Sequence, residues 1–240
     1  MTGYQKIFVL GAQPLGLTGE PKMFFQIAAA CLIVVLLGFG MNAGLGRVSY
    51  ASFEWPIYLH AAIYLGWYVL AVVQPLMIGF GKRPIHRSIG WAGSALAILM
   101  GISGLWITVV AVSEGRMQPG NIFMMLNILT VVGFFGLIGA AVLKRRDMAW
   151  HSRLMACATI ILTGPAWARI LPMELLGPLG LVVISALVLA LAGWGMLYDR
   201  RKRGRIHPAW YWGAGTAAII GPISPPLAFI PAFANWVAGF

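Results

Sequence analysis

The chain has 240 residues, 60% of them hydrophobic and only 10% charged, and a mean hydropathy of +0.84. A soluble domain of this size cannot enclose so much apolar surface, so the bilayer is the implied solvent. The net charge of +11 comes from Lys and Arg in short loops between apolar stretches, which suits anionic lipid head groups and argues against nucleic acid as a partner.

Met1 to Lys22 lacks the charged start, short apolar core and small-residue cleavage site of a secretory signal peptide. It is expected to be retained as a cytoplasmic or interfacial segment lying along the membrane through Ile7, Phe8, Val9 and Leu10. Residues 23–240 then read as a single membrane domain of seven helical spans, at roughly 23–44, 55–80, 88–112, 120–143, 150–171, 175–198 and 208–231. In lipid every backbone amide must be bonded within its own segment, and no stretch alternates with period two as barrel strands do. The expected fold class is therefore an all-α, polytopic bundle of seven transmembrane helices. Gly221-Pro222 and Ser224-Pro225-Pro226 should kink the last span or end it early.

Of the 17 Lys and Arg residues, Arg47, Arg116 and Arg169 fall on one side of this topology and the remaining 14 on the other. That asymmetry places the N-terminus in the cytoplasm and the C-terminus outside, in a bacterial inner membrane crossed several times. Each even-numbered loop is basic and leads into a histidine: His86, His151 and His207. A glycine follows 15, 13 and 14 residues later, at Gly101, Gly164 and Gly221, which hints at an internal repeat with a kink or close helix contact at each glycine. Cys31 and Cys157 lie inside spans, outside any CxxC pair, and read as small buried hydrophobes.

Imidazole is the commonest side-chain ligand of haem iron and transition metals, and these three histidines should sit at one depth near helix N-termini that favour the neutral ring. They are candidate ligands for one inner-face haem b or, alternatively, a transition metal. The other reading is interfacial histidines that bind phosphate head groups or cap loops. His60 differs, because it lies inside the outer end of the second span. Positions 60, 64, 67, 71, 74 and 78 share one helical face, so His60, Tyr64, Trp67 and Gln74 form a candidate outer-leaflet stripe running into the membrane. Such a stripe can line a quinone, a carotenoid or a haem edge, or simply hydrogen-bond between helices. Asn121, Met124 and Asn127 offer a similar lining on the fourth span.

All six acids fall near span ends or in loops, so the central carboxylate that ion-coupled pumps use is missing. The last span has no lysine for a retinal Schiff base, and no P-loop, nucleophile elbow or HExxH sequence occurs.

The blocks His86-Arg87-Ser88-Ile89-Gly90-Trp91, Trp150-His151-Ser152-Arg153-Leu154-Met155 and Arg205-Ile206-His207-Pro208, with His60-Ala61-Ala62 through Gln74-Pro75 before them, together resemble a family of uncharacterised bacterial integral membrane proteins. The likeness covers most of the chain from about residue 55. The His-x-Arg-Leu-Met block is also similar to one in small membrane proteins that assist assembly of haem-copper oxidases. Three functions follow as expectations. The first is a redox-cofactor or metal-binding membrane protein acting with quinone. The second is a non-catalytic accessory or assembly subunit of a larger respiratory or photosynthetic complex. The third is a small-solute transporter that uses the Gly-Pro breaks in spans five and seven.

Overall fold

The computed structural model describes residues 16–240, and the segment expected to lie along the membrane through Ile7 to Leu10 falls outside them. Ten α-helices occur among the described residues: α1 (Gly19–Gly44), α2 (Trp55–Gly79), α3 (Arg83–Ser113), α4 (Gly120–Leu143), α5 (Met148–Ile161), α6 (Gly164–Ile170), α7 (Met173–Leu176), α8 (Leu179–Arg203), α9 (Pro208–Ala228) and α10 (Pro231–Val237). A single 3-10 turn, Tyr50–Ser52, joins α1 to α2. Helices α1, α2, α3, α4 and α8 are each long and apolar enough to cross a membrane, and α9 with α10, bent 84° apart, make a sixth span if counted together. The protein is therefore a multi-span helical membrane protein.

Two of the seven expected spans differ from a single straight helix long and apolar enough to cross on its own, both near proline. The fifth expected span divides into α5, of 14 residues, and α6, of seven, neither of which reaches the ~20 residues a crossing needs. Pro165 opens α6 without an N–H, and the turn before it tightens as the Thr163 N–H and hydroxyl both donate to the Ile160 carbonyl, at 3.0 and 2.7 Å. The last helix behaves differently from expectation. It runs unbroken through Pro222, Pro225 and Pro226 to Ala228, held between α4 and α8, and turns only at Phe229–Ile230 ahead of Pro231.

Two helices start or end further out than their apolar residues suggest. Pro84, in the first turn of α3, supplies a ready-made helical φ and brings His86 into that turn. At the other extreme, α8 continues to Arg203, its four basic residues complementing the negative end of the helix dipole and Gly204 closing it at φ +71°. Asp199 is consequently a helix residue.

Helix α5 is the axis of the bundle and touches α1, α2, α4, α8 and α9. Every residue from Cys157 to Thr163 is buried, the signature of a helix apolar on all sides. Around it α1 packs on α2 and α6, α2 on α3, α3 on α4, and α4 on α9. Helix α1 meets the backbone of α6 closely: a Cβ on Gly38 would lie 2.5 Å from the Ala166 carbonyl oxygen and 3.0 Å from its Cα. Backbone cannot swing aside as a side chain can, so Gly38→Ala should destabilise the folded protein by about 1–3 kcal/mol. Gly40, whose Cβ would meet nothing within 4 Å, provides the matched control. Thermal unfolding of the two variants in detergent should show only the Gly38 variant shifted down.

Two of the three repeat glycines serve close contact as expected. A Cβ on Gly101 would strike the Phe135 ring at 2.3 Å and one on Gly221 the Ser185 hydroxyl at 2.5 Å, whereas Gly164 faces only Ile184, at an ordinary 3.9 Å.

Candidate functional site

The candidate site forms where α5 begins. The Asp147 carboxylate accepts the Ala149 and Trp150 amides at 3.0 and 3.2 Å, a side-chain cap that fixes the direction in which the next residues project. From that turn Trp150 packs on the His207 ring, His151 approaches His86, and Arg153 enters the bundle. Asp147→Ala should cost about 0.5–2 kcal/mol. The loss should register as faster amide exchange at Ala149 and Trp150, with helices remote from α5 unchanged.

His86 and His151 come together from two different helices, their ring centroids 6.3 Å apart and their planes at 86°. The His151 Nδ1 lies 2.9 Å from the Ala141 carbonyl oxygen. Because that oxygen only accepts, Nδ1 carries the hydrogen and Nε2 keeps its lone pair, the arrangement that orients an imidazole for a ligand or a proton. The His86 Nδ1 is buried without a hydrogen-bond partner. Gln74, at the far end of the α2 stripe, donates from Nε2 to the His86 carbonyl oxygen at 3.3 Å, and its Oε1 is also buried and unpartnered. Polar side chains from α2, α3 and α5 thus lie at the basic end of the bundle with one ring nitrogen and one carbonyl oxygen free to bond water or a bound group.

Gln74 therefore does not belong with His60 in an outer-leaflet stripe. Fourteen residues along a helix span about 21 Å, which carries it to the opposite end of α2. The rest of the stripe faces inward and bonds between helices. The Tyr64 hydroxyl donates to the Met100 carbonyl at 3.2 Å, and the Trp67 Nε1–H donates to the Thr159 hydroxyl at 3.3 Å. His60 packs on Tyr64 with centroids 4.4 Å apart, its Nδ1 buried and unpartnered. On α4, Asn121 donates to the Ala228 carbonyl and Asn127 to that of Phe123. Cys31 and Cys157 are buried free thiols.

His207 stands apart from His86 and His151. Its Nδ1 accepts the Ala209 amide at 3.2 Å, capping α9, which leaves the hydrogen on Nε2 and no lone pair for a metal. Burial, then the neighbouring Arg153 charge, hold its pKa below the usual imidazole range, consistent with the neutral ring that a cap requires. Among the described residues no group of three or more His, Cys, Asp or Glu is placed to hold a metal ion.

Sequence reasoning missed the strongest polar feature of this end. Arg153 and Asp199 are both completely buried. The guanidinium grips the carboxylate with two parallel bonds, Nε to Oδ2 at 2.8 Å and Nη2 to Oδ1 at 2.5 Å. Arg153 also donates to the Ala149 carbonyl and to Glu20 on α1, and Arg203 pairs with the same Glu20. Asp199 accepts, in addition, the Trp210 Nε1–H at 3.0 Å and the His207 amide at 3.3 Å. This network ties α1, α5, α8 and α9 together beside the histidine pair. The available signal was Arg153, three residues inside an apolar span, together with an acid just past the apolar part of the sixth span. Counting Arg153 as a loop cation and Asp199 as a span-end acid concealed both.

No protein-family model, curated protein or solved structure matches the chain.

Proposed function

We propose that the protein is a seven-span bacterial inner-membrane protein that binds the head group of a quinone at Gln74, His86 and His151, close to the cytoplasmic surface. The span count takes α5 with α6 as one crossing and α9 as another, and the orientation rests on the positive-inside asymmetry. The observation that carries the reading is the pair of buried, unpartnered atoms, His86 Nδ1 and Gln74 Oε1, beside an oriented His151. A quinone carbonyl accepts from a histidine N–H, a quinol hydroxyl donates to the glutamine oxygen, and the His151 Nε2 lone pair is set to take a quinol proton. Haem b on the same two histidines is the neighbouring outcome, and one preparation distinguishes the two.

Purified in detergent and titrated with a short-tailed ubiquinone, the protein should show saturable quenching of tryptophan fluorescence, Trp150 being adjacent to His151 in the chain. A Soret band that disappears in His86→Leu would point to haem instead, and colourless protein with no saturable quenching would overturn both readings.

A second reading, an accessory or assembly subunit of a larger membrane complex, has separate support in glycines whose outward faces are open. Gly40 and Gly44 on α1, Gly136 and Gly139 on α4, and Gly193 on α8 have nothing within 4 Å of a Cβ position, as surfaces for close helix packing require. A transporter with two broken spans is supported only at α5–α6, since α9 is continuous across Gly221-Pro222.

A further inference from the structure

A groove of about 530 Å³ runs between α4, α5 and α9, with Gly133, Gly136 and Ala140 along its α4 side, Thr216 on α9, and Lys144 and Trp150 toward the basic end. At the Gly133 end α4 and α9 close on each other, so that a Cβ there would lie 2.8 Å from the Thr216 methyl. Gly136, by contrast, has nothing within 4 Å of its Cβ position, and this open stretch leads toward Lys144. From Gly133 to Lys144 is eleven residues, a rise of about 16 Å, and one leaflet of hydrocarbon is about 15 Å deep. The groove therefore has the length of one acyl chain lying in one leaflet. At its wide end the Lys144 ammonium sits 5.8 Å from the Trp150 ring centroid and makes no ion pair among the described residues. Arg145 and Arg146 follow it immediately in the chain.

We propose that this groove holds one acyl chain of an anionic phospholipid, whose phosphate rests on Lys144 at the level where Trp150 marks the membrane interface. Length and charge both select the occupant. A zwitterionic lipid brings the same phosphate but adds an ammonium that the run Lys144-Arg145-Arg146 repels, whereas an anionic lipid adds no opposing cation. The proposal is independent of the quinone reading, because none of Gln74, His86 or His151 lines the groove.

The test is native mass spectrometry of the whole protein after exchange into vesicles of phosphatidylglycerol and phosphatidylethanolamine in equal amounts. The wild type should retain one phosphatidylglycerol in preference. Lys144→Glu should lower that preference roughly fivefold or more, the effect of losing one cation at the surface. Gly136→Leu should fill the groove and abolish retention, while Gly139→Leu, on the same helix outside the groove and equally unobstructed, should leave it intact. Equal retention of both lipids by the wild type, or an undiminished preference for phosphatidylglycerol in the Lys144→Glu protein, would overturn the proposal. Lys144→Glu leaves the apolar contacts in place, so its result stands even if Gly136→Leu fails to fold.

Discussion

Asp199→Asn should destabilise the protein by about 1.5–3 kcal/mol, because it leaves Glu20 as the one remaining carboxylate on the fully buried Arg153 guanidinium. The Coulomb attraction of a buried pair does not by itself guarantee net stability, since removing both ions from water costs several kcal/mol each. What makes this pair effective is its saturation. Asp199 accepts from Arg153 twice, from Trp210 and from the His207 backbone, while Arg153 also reaches Glu20 and the Ala149 carbonyl. Removing Asp199 alone leaves part of the Arg153 desolvation cost unbalanced, with Glu20 its remaining carboxylate, whereas the double variant Arg153→Met with Asp199→Leu removes both charges and should recover most of the loss. Unfolding in mixed detergent measures both. A shift within about 0.5 kcal/mol for Asp199→Asn, the scale of an ordinary surface substitution, would mean that the pair is not buried as described.

His86→Leu should weaken quinone binding by about 1–3 kcal/mol, the cost of leaving a buried carbonyl unsatisfied, or roughly 5- to 150-fold in Kd. Gln74→Leu should act on quinol more than on quinone, since the hydroxyl of the reduced form is the donor that the Gln74 oxygen would accept. His207→Leu separates site from scaffold. That histidine caps α9 and packs on Trp150, so its loss should lower stability by up to about 2 kcal/mol while leaving the Kd nearly unchanged. Equal weakening by His207→Leu and His86→Leu would indicate a shared three-histidine site.

Particular residues explain how far the sequence could be read. The ends of α4 coincide with expectation, and those of α1 and α2 nearly so, because apolar length alone determines a simple crossing. Where polar or helix-breaking residues were given too much weight, the bounds shifted. Basic residues were taken to end α8 although they suit its C-terminus, and the kink or early end expected at Gly221-Pro222 and Ser224-Pro225-Pro226 comes just beyond them, at Phe229–Ile230, because neighbours hold α9 in place. The inner histidines were identifiable as a group from loop position. Their separation into a facing pair and a helix cap was not, because it depends on which way each ring turns about its helix. The Ala141 carbonyl, the partner that orients His151, has no sequence signature at all. Gln74 was visible on the correct face of α2 but assigned to the wrong depth. Arg153 and Asp199 required knowledge that α5 is the axis of the bundle, a property of helix arrangement that composition does not record.

The most direct test of the central claim is photolabelling of the purified protein with an azidoquinone, followed by peptide mapping. Labels concentrated at the inner end of α2 near Gln74, the first turns of α3 near His86 and of α5 near His151, and displaced by excess unmodified quinone, are the predicted result. Labelling that spreads over lipid-facing residues of α1 or α8 and resists displacement would contradict a quinone site at these three residues.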